Sequence, residues 1–131
     1  MVAMRNRVPA LWLLLLVLPA CGGGGGTPTT PNPGPTNPYT ITIAASGATP
    51  KELSVPQGTR VLFVNNSGRR RDMTSDPHPD HTECPEINAV GALNNGQSRE
   101  TGNLNVVRTC GFHDHDDPSN TAVQGRIIIR P

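Results

Sequence analysis

All four histidines of this 131-residue chain lie in two short segments, and each segment has a cysteine close by. The six residues concerned are His78, His81, Cys84, Cys110, His113 and His115. Imidazole and thiolate are the side chains that bind copper and zinc ions in proteins. Two distant segments converge on one ion when a β-fold brings their loops together. The distribution therefore predicts a metal site.

Four imidazoles are one donor set that this pattern allows. His113 and His115, if extended, project two rings from one strand face, about 7 Å apart along the strand. His78 and His81 in a proline-rich loop would complete a three- or four-nitrogen site suited to Cu(II). Nearby carboxylates, as acceptors for ring N–H groups or as direct ligands, are Asp76, Asp80, Asp114 and Asp116. The alternative is a simple turn whose histidines make hydrogen bonds on a wet surface.

The two cysteines near the histidines have three possible states. In an oxidising compartment Cys84 and Cys110 would close a disulfide. Alternatively, Cys110 supplies the thiolate of a blue-copper site, or both thiols stay free. If a strand runs on to His115, alternation places Cys110 and Phe112 on the face opposite His113. That alternation favours the disulfide.

The N-terminal segment indicates export. Two arginines precede the apolar stretch Ala10–Leu18, which is too short to span a bilayer as a mature helix. The following Leu-Pro-Ala-Cys21 resembles the bacterial lipoprotein cleavage box, which implies an extracytoplasmic protein anchored by lipid, on the outer membrane if the cell has two membranes. The predicted organisation is a lipoprotein signal peptide at 1–20, lipidated Cys21 opening a Gly/Pro-rich spacer at 21–38, and one domain at 39–131.

The charge of the mature chain excludes some partner classes. From Cys21 onward there are nine basic and ten acidic residues, a net charge of −1. No overall field therefore attracts nucleic acid. The run Arg69–Arg71 follows Asn-Asn-Ser-Gly, and we predict a solvated loop there, with a docking patch for an acidic partner as the alternative.

Hydrophobic alternation predicts strands throughout the domain. Short apolar/polar alternations are separated by turn residues, and no stretch has the period of a substantial amphipathic helix. The predicted strands are 39–43, 53–55, 59–65, 104–112 and 125–130. Short strands with frequent turns predict an all-β, antiparallel sandwich.

Two parts of the domain carry a resemblance to a known family. The pattern V-x-x-G-x-x-V-x-F-x-N, from Val55 to Asn65, resembles the second and third strands of cupredoxins, the plastocyanin and azurin superfamily. The segments 75–81 and 112–115, with Pro118, resemble a bacterial cupredoxin-like lipoprotein subgroup. The resemblance covers about 41–129, nearly the whole domain.

This resemblance implies a cupredoxin-like Greek-key sandwich or barrel that binds one copper ion and carries single electrons. It also implies a redox or copper-handling envelope protein as the partner, with this chain acting as a monomer. In a blue-copper version, Cys110, His78 and His113 would be the ligands. No methionine follows His113 to take the axial position, which would be empty or filled by oxygen.

Enzymatic function is not expected. Gly-Phe-His113-Asp-His115 is similar to the copper-binding G-F-H-x-H segment of copper-zinc superoxide dismutases, but no histidine follows His115. Ser75 and Ser119 lie in no nucleophile elbow. Three functions stay open: an electron carrier, a non-blue histidine-ligated copper carrier or buffer, and a metal-free, disulfide-closed interaction module.

Overall fold

The computed structural model describes residues 36–131. The predicted signal peptide, Cys21 and the spacer up to residue 35 lie outside the described residues. The nine strands of the described part are β1 Thr40–Ala44, β2 Gly47–Thr49, β3 Glu52–Pro56, β4 Leu62–Asn66, β5 Arg71–Ser75, β6 Gly91–Leu93, β7 Ser98–Glu100, β8 Thr109–Asp114 and β9 Gly125–Arg130. Short 3₁₀ helices span Pro85–Ala89 and Thr121–Val123. None of the helices in this part has the length and apolar character needed to cross a membrane.

The strands form two sheets. One has the order β2-β1-β4-β7 and the other β3-β9-β8-β5-β6. The predicted β-sandwich is confirmed, but the sheets are mixed, because β1 runs parallel to β4 and β3 runs parallel to β9. Alternation within a strand reports which face is buried and not the direction of the neighbouring strand, so the sequence could not reveal these parallel pairs.

Apolar side chains from both sheets form the core. Ile41 and Ile43 of β1 and Ile127 of β9 are fully buried, as period-two alternation requires. Phe63 of β4 packs edge-on against Phe112 of β8, with ring centroids 5.2 Å apart. Each such side chain contributes about 1.5–3 kcal/mol by leaving water. This contact between the sheets fixes the position of β8, which carries His113.

Four of the nine strands are missing from the sequence prediction: the three-residue strands β2, β6 and β7, and the five-residue strand β5. Of these, β5 is the strand that leads into the histidine loop. It was interpreted as the end of a solvated arginine loop, yet its side chains alternate between buried and half-buried positions. Arg71, Met73 and Ser75 are the buried ones. Because two of these three are polar, the hydrophobic pattern that marks a strand is absent from the sequence.

Arg71 corrects the prediction for the arginine run most directly. Its side chain is 4% exposed and its Nη1 donates to Asp114 Oδ2 at 2.9 Å. Asp114 is 1% exposed and also accepts from the backbone N–H groups of Asp72 and Asp116. The pair is thus buried and well hydrogen-bonded, which a buried ion pair requires to offset its desolvation.

The other two arginines of the run make exposed ion pairs. Arg69 contacts Asp117 at 3.1 Å, and Arg70 contacts both Asp116 and Asp72. The Asp116 hydrogen bond is the main cause of a raised pKa for Arg70. The predicted solvated loop therefore holds for Arg69 and Arg70, which stay exposed while pairing with the segment after β8, and is wrong for Arg71.

Replacing Arg71 by leucine is expected to lower the free energy of unfolding by about 3–5 kcal/mol, because Asp114 would stay buried without its partner. Urea unfolding followed by circular dichroism measures the change. Arg70→Leu is the matched control, and its effect should be small because that ion pair is exposed. Equal losses in the two variants would contradict the assignment.

Candidate metal centre

The pairing of β5 with β8 brings the two histidine segments together. These strands are antiparallel, with Thr74 opposite His113 and Ser75 opposite Phe112. The chain leaving β5 therefore starts beside Gly111, and the Asp76 N–H donates to the Gly111 carbonyl at 3.0 Å. The loop that carries His78 and His81 consequently begins next to the strand that carries His113.

Hydrogen bonds fold this loop back on itself. The His81 N–H donates to the Pro77 carbonyl at 2.7 Å, and the Glu83 N–H donates to the Asp76 carbonyl at 2.8 Å. Asn88 donates to the His81 carbonyl at 2.9 Å while its Oδ1 accepts from the Ser75 N–H at 2.9 Å. Sequence reasoning missed Asn88, because nothing in the residues around it indicates that its side chain hydrogen-bonds to the backbone of the histidine loop.

All four histidine rings converge. One ring nitrogen from each of His78, His81, His113 and His115 lies within 4.8 Å of the other three. His78 lies 5.5 Å from His113 and 5.1 Å from His115, centroid to centroid, and His81 lies 5.1 Å and 4.9 Å from the same two rings. His113 is buried at the base of the cluster, whereas His78 and His115 are exposed at its rim.

Hydrogen bonds orient two of the rings. His113 Nδ1 lies 2.6 Å from Asp76 Oδ1, so this nitrogen donates to the carboxylate and Nε2 keeps its lone pair. His81 Nδ1 lies 2.9 Å from the Ser75 carbonyl and must also donate, which leaves His81 Nε2 as an acceptor. That acceptor is 2.9 Å from His115 Nδ1. Both oriented rings therefore keep the metal-binding lone pair on Nε2, and that of His113 also lies 3.4 Å from the Thr74 hydroxyl oxygen.

These nitrogens have the spacing that one metal ion needs. With metal–nitrogen bonds of about 2.0–2.1 Å, adjacent ligand nitrogens lie about 3 Å apart and opposite ones about 4 Å apart. The 2.9 Å between His81 Nε2 and His115 Nδ1 already matches an adjacent pair. Since no two of the four nitrogens exceed 4.8 Å, closing around an ion requires shifts of under about 1 Å. The donor set fits Cu(II) or Zn²⁺.

The surroundings of His78 favour its neutral form. The pKa of His78 is lowered from its ordinary value of 6.5, first by partial desolvation and then by the neighbouring His115, His113 and His81 rings. A positive charge on a neighbouring ring disfavours a proton on His78. A neutral imidazole is the form that binds a metal ion.

The four predicted acceptor carboxylates have different positions. Asp76 contacts a ring, as expected. Asp114 and Asp116 do not: their carboxylates pair with Arg71 and Arg70. Among residues 36–131, Asp80 makes no hydrogen bond to a histidine ring, and its side chain is exposed. The buried ion pair with Arg71 decides the orientation of Asp114, which sequence proximity alone could not reveal.

The predicted disulfide between Cys84 and Cys110 is present, with Cα atoms 5.7 Å apart. Both cysteines are fully buried, and Cys110 alternates with Phe112 on the core side of β8. A disulfide sulfur carries no thiolate, so Cys110 does not serve as a blue-copper ligand in this structure. The bond instead attaches the far end of the histidine loop to the strand that carries His113.

A surface cavity of about 530 Å³ lies beside the cluster but contains no histidine. Lys51, Glu83 and Arg126 are among its lining residues, and Asp76 is the lining residue that also contacts a ring. The candidate metal centre is therefore the histidine cluster itself and not this cavity.

Solved structures of several proteins share this architecture. A purple cupredoxin from Nitrosopumilus maritimus superimposes with a TM-score of 0.55 at 18% identity, covering 70% of this chain and 99% of that one. Oxidised plastocyanin from Dryopteris crassirhizoma gives 0.55 at 15% identity, with the same coverage of 70% and 99%. This chain has the cupredoxin fold. A reduced mutant of amicyanin, with a TM-score of 0.55, 15% identity and coverage of 70% and 80%, agrees.

Comparison of the sequence finds no protein-family model and no curated protein that matches the chain. The predicted cupredoxin fold is therefore confirmed by architecture alone, at identities of 18% and below. Because a fold accommodates different sites, the donor set has to be taken from this chain's own residues.

Replacing both cysteines, Cys84→Ala with Cys110→Ala, is expected to lower the free energy of unfolding by about 3 kcal/mol, since the bond closes a loop across a separation of 26 residues. Urea unfolding of the wild-type and double-variant proteins measures the loss. A thiol titration of the untreated wild-type protein is the control and should find neither cysteine free. Two free thiols, or equal unfolding midpoints, would contradict the structural role.

Proposed function

We propose that this protein is an extracytoplasmic copper-binding protein that carries single electrons, with His78, His81, His113 and His115 as its ligands. The proposal rests on the positions of these four rings, each of which has one nitrogen within 4.8 Å of a nitrogen of each of the other three. The fold supports it, because its structural neighbours include a purple cupredoxin and plastocyanin. One copper ion per chain matches a single cluster.

Copper bound here would supply one-electron redox chemistry. The protein's contribution is to hold the rings in place: His113 is buried and bonded to Asp76, and His81 is bonded to the Ser75 carbonyl. Fixed rings keep the geometric change between oxidation states small. The exposed edges of His78 and His115 are where a redox partner in the cell envelope would approach.

The donor set predicts a non-blue site. Four imidazoles without a thiolate lack the sulfur that gives blue-copper proteins their colour. Nitrogen donors favour Cu(II), and the general order of affinities places copper above zinc. The protein should accordingly bind Cu(II) in preference to Zn²⁺ and lack an intense thiolate-to-copper absorption band.

The localisation follows from the N-terminal segment. We propose that a signal peptide at 1–20 directs export, that Cys21 is lipidated, and that the spacer from 21 to 38 holds the domain at 39–131 away from the membrane. An oxidising envelope compartment is consistent with the buried disulfide. We expect the domain to act as a monomer and as a carrier, not as an enzyme.

A second candidate, a copper carrier or buffer, is favoured by the exposure of the rim. Since His78 and His115 are open to solvent, an acceptor protein could take over the ion by replacing these ligands first. The rate of electron exchange between oxidised and reduced forms, compared with the rate of copper loss to a competing chelator, separates the two roles. A metal-free interaction module would show neither process.

Changing one ligand in each segment tests the shared site. His81→Ala and His113→Ala are each expected to weaken Cu(II) binding by more than the roughly 10–100-fold that loss of an outer hydrogen-bond partner costs. Calorimetric titration with total metal analysis measures affinity and stoichiometry. Two copper ions in the wild-type protein, with one lost in each variant, would show two separate sites. Unchanged affinity in both variants would contradict the proposal.

Copper affinity is expected to decrease as the pH falls below about 6.5, because protons compete for the ring nitrogens. The lowered pKa of His78 means that this ring stays neutral to a lower pH than a free histidine, whose pKa is 6.5. Full copper affinity should therefore be present above about pH 6.5 and be lost progressively at lower pH. Titrations between about pH 5.5 and 7.5 measure this, with circular dichroism to verify folding. Constant affinity across the range would exclude imidazole ligation.

A further inference from the structure

The Asp76 carboxylate lies between the ring of His113 and the backbone of Gly111. Its Oδ1 accepts from His113 Nδ1 at 2.6 Å, while its Oδ2 occupies the space that a side chain at position 111 would need. We propose that Asp76 is a positioning residue that sets the orientation and tautomer of His113 and tunes the bound metal, and that Gly111 leaves room for it. This inference rests on the proposed copper site.

The backbone of Asp76 is fixed on both sides. Its N–H donates to the Gly111 carbonyl at 3.0 Å, and its carbonyl accepts from the Glu83 N–H at 2.8 Å. Glu83 in turn accepts from the Gly111 N–H through Oε2 at 2.6 Å. Three residues from the loop and β8 therefore form a closed set of hydrogen bonds that holds the Asp76 backbone beside β8, within reach of His113.

Gly111 is explained by this arrangement and not by backbone strain. Its φ lies outside the left-handed region that favours glycine. A Cβ at this position, however, would overlap Oδ2 and Cγ of Asp76. Any other residue at position 111 would thus push the carboxylate away from the ring of His113.

The contact has an electronic consequence for His113. The ring is 2% exposed, so its hydrogen bond to an anion is only weakly screened by water on the ring side. A carboxylate that accepts from Nδ1 fixes the proton there and raises the electron donation of Nε2. Stronger donation stabilises Cu(II) more than Cu(I), because the more highly charged ion gains more from it. Asp76 should therefore lower the reduction potential of the site.

Asp80 provides a matched control for this role. It lies in the same loop, between His78 and His81, and carries the same charge. In the part of the chain that the structure covers, its carboxylate contacts no histidine ring. Asp80→Asn removes a charge of the same sign near the cluster, while Asp76→Asn removes the charge that is hydrogen-bonded to the ring.

The first measurement uses the metal-free full-length protein. Nitrogen-15 NMR of the histidine rings is expected to find the His113 proton on Nδ1 in the wild type and in Asp80→Asn. Asp76→Asn and Gly111→Ala should shift the His113 nitrogen signals. A wild-type proton on Nε2, or signals unchanged in Asp76→Asn, would overturn the proposal. Because no copper is present, this result is independent of the proposed function.

The second measurement uses copper. Asp76→Asn and Gly111→Ala are expected to weaken Cu(II) binding by about 10–100-fold, and Asp80→Asn to leave it near the wild-type value. Each tenfold loss of affinity for Cu(II) beyond that for Cu(I) raises the reduction potential by about 59 mV. Equal effects of Asp76→Asn and Asp80→Asn would show a general charge effect and overturn the proposal. If Gly111→Ala fails to fold, Asp76→Asn decides the question alone.

The two proposals fail in different ways. A wild-type protein that binds no copper defeats the proposed function, whatever the state of His113. A wild-type protein that binds copper with unchanged potential and affinity in Asp76→Asn defeats only the positioning role.

Discussion

The pairing of β5 with β8 is the constraint on which the histidine cluster depends. Its register places the start of the histidine loop beside Gly111, and the disulfide attaches the end of the same loop to Cys110. Both ends of the loop are therefore held on one strand. Two rings on the loop and two at the end of β8 then have little room except around a common point. Local hydrogen bonds to Asp76 and to the Ser75 carbonyl complete the orientation.

Most of the aspartates near the cluster are paired with arginines and not with the histidine rings. Aspartates are frequent around the histidines, yet the one at the end of β8 and the two that follow it are paired with the three consecutive arginines. The buried Arg71–Asp114 pair holds the end of β8, and the exposed pairs hold the segment after it. Asp76 alone among the four predicted carboxylates reaches a ring. The site is thus built from imidazole nitrogens with one anion behind the most buried of them.

This protein combines the cupredoxin fold with a candidate ligand set that lacks a cysteine thiolate. The sandwich is that of cupredoxins, but Cys110 contributes to the core and to a disulfide instead of offering a thiolate. The same scaffold can support different ligands, because side chains at the ends of its strands and in the loops between them change without changing the fold. Rigid sheets would serve the proposed redox site, since they limit the movement of the rings.

Much of this protein was predictable from the sequence. The sandwich follows from period-two alternation, the disulfide from two remaining cysteines in a chain predicted to be exported, and the four candidate ligands from the absence of histidine elsewhere. The tertiary structure alone decided three things: that Arg71 begins a buried strand, that two strand pairs are parallel, and that Asp76 rather than Asp114 reaches a ring. The physical reason is the same in each case. Polar residues at buried positions, strand neighbours and side-chain directions depend on partners distant in the chain, which the local pattern of residues does not record.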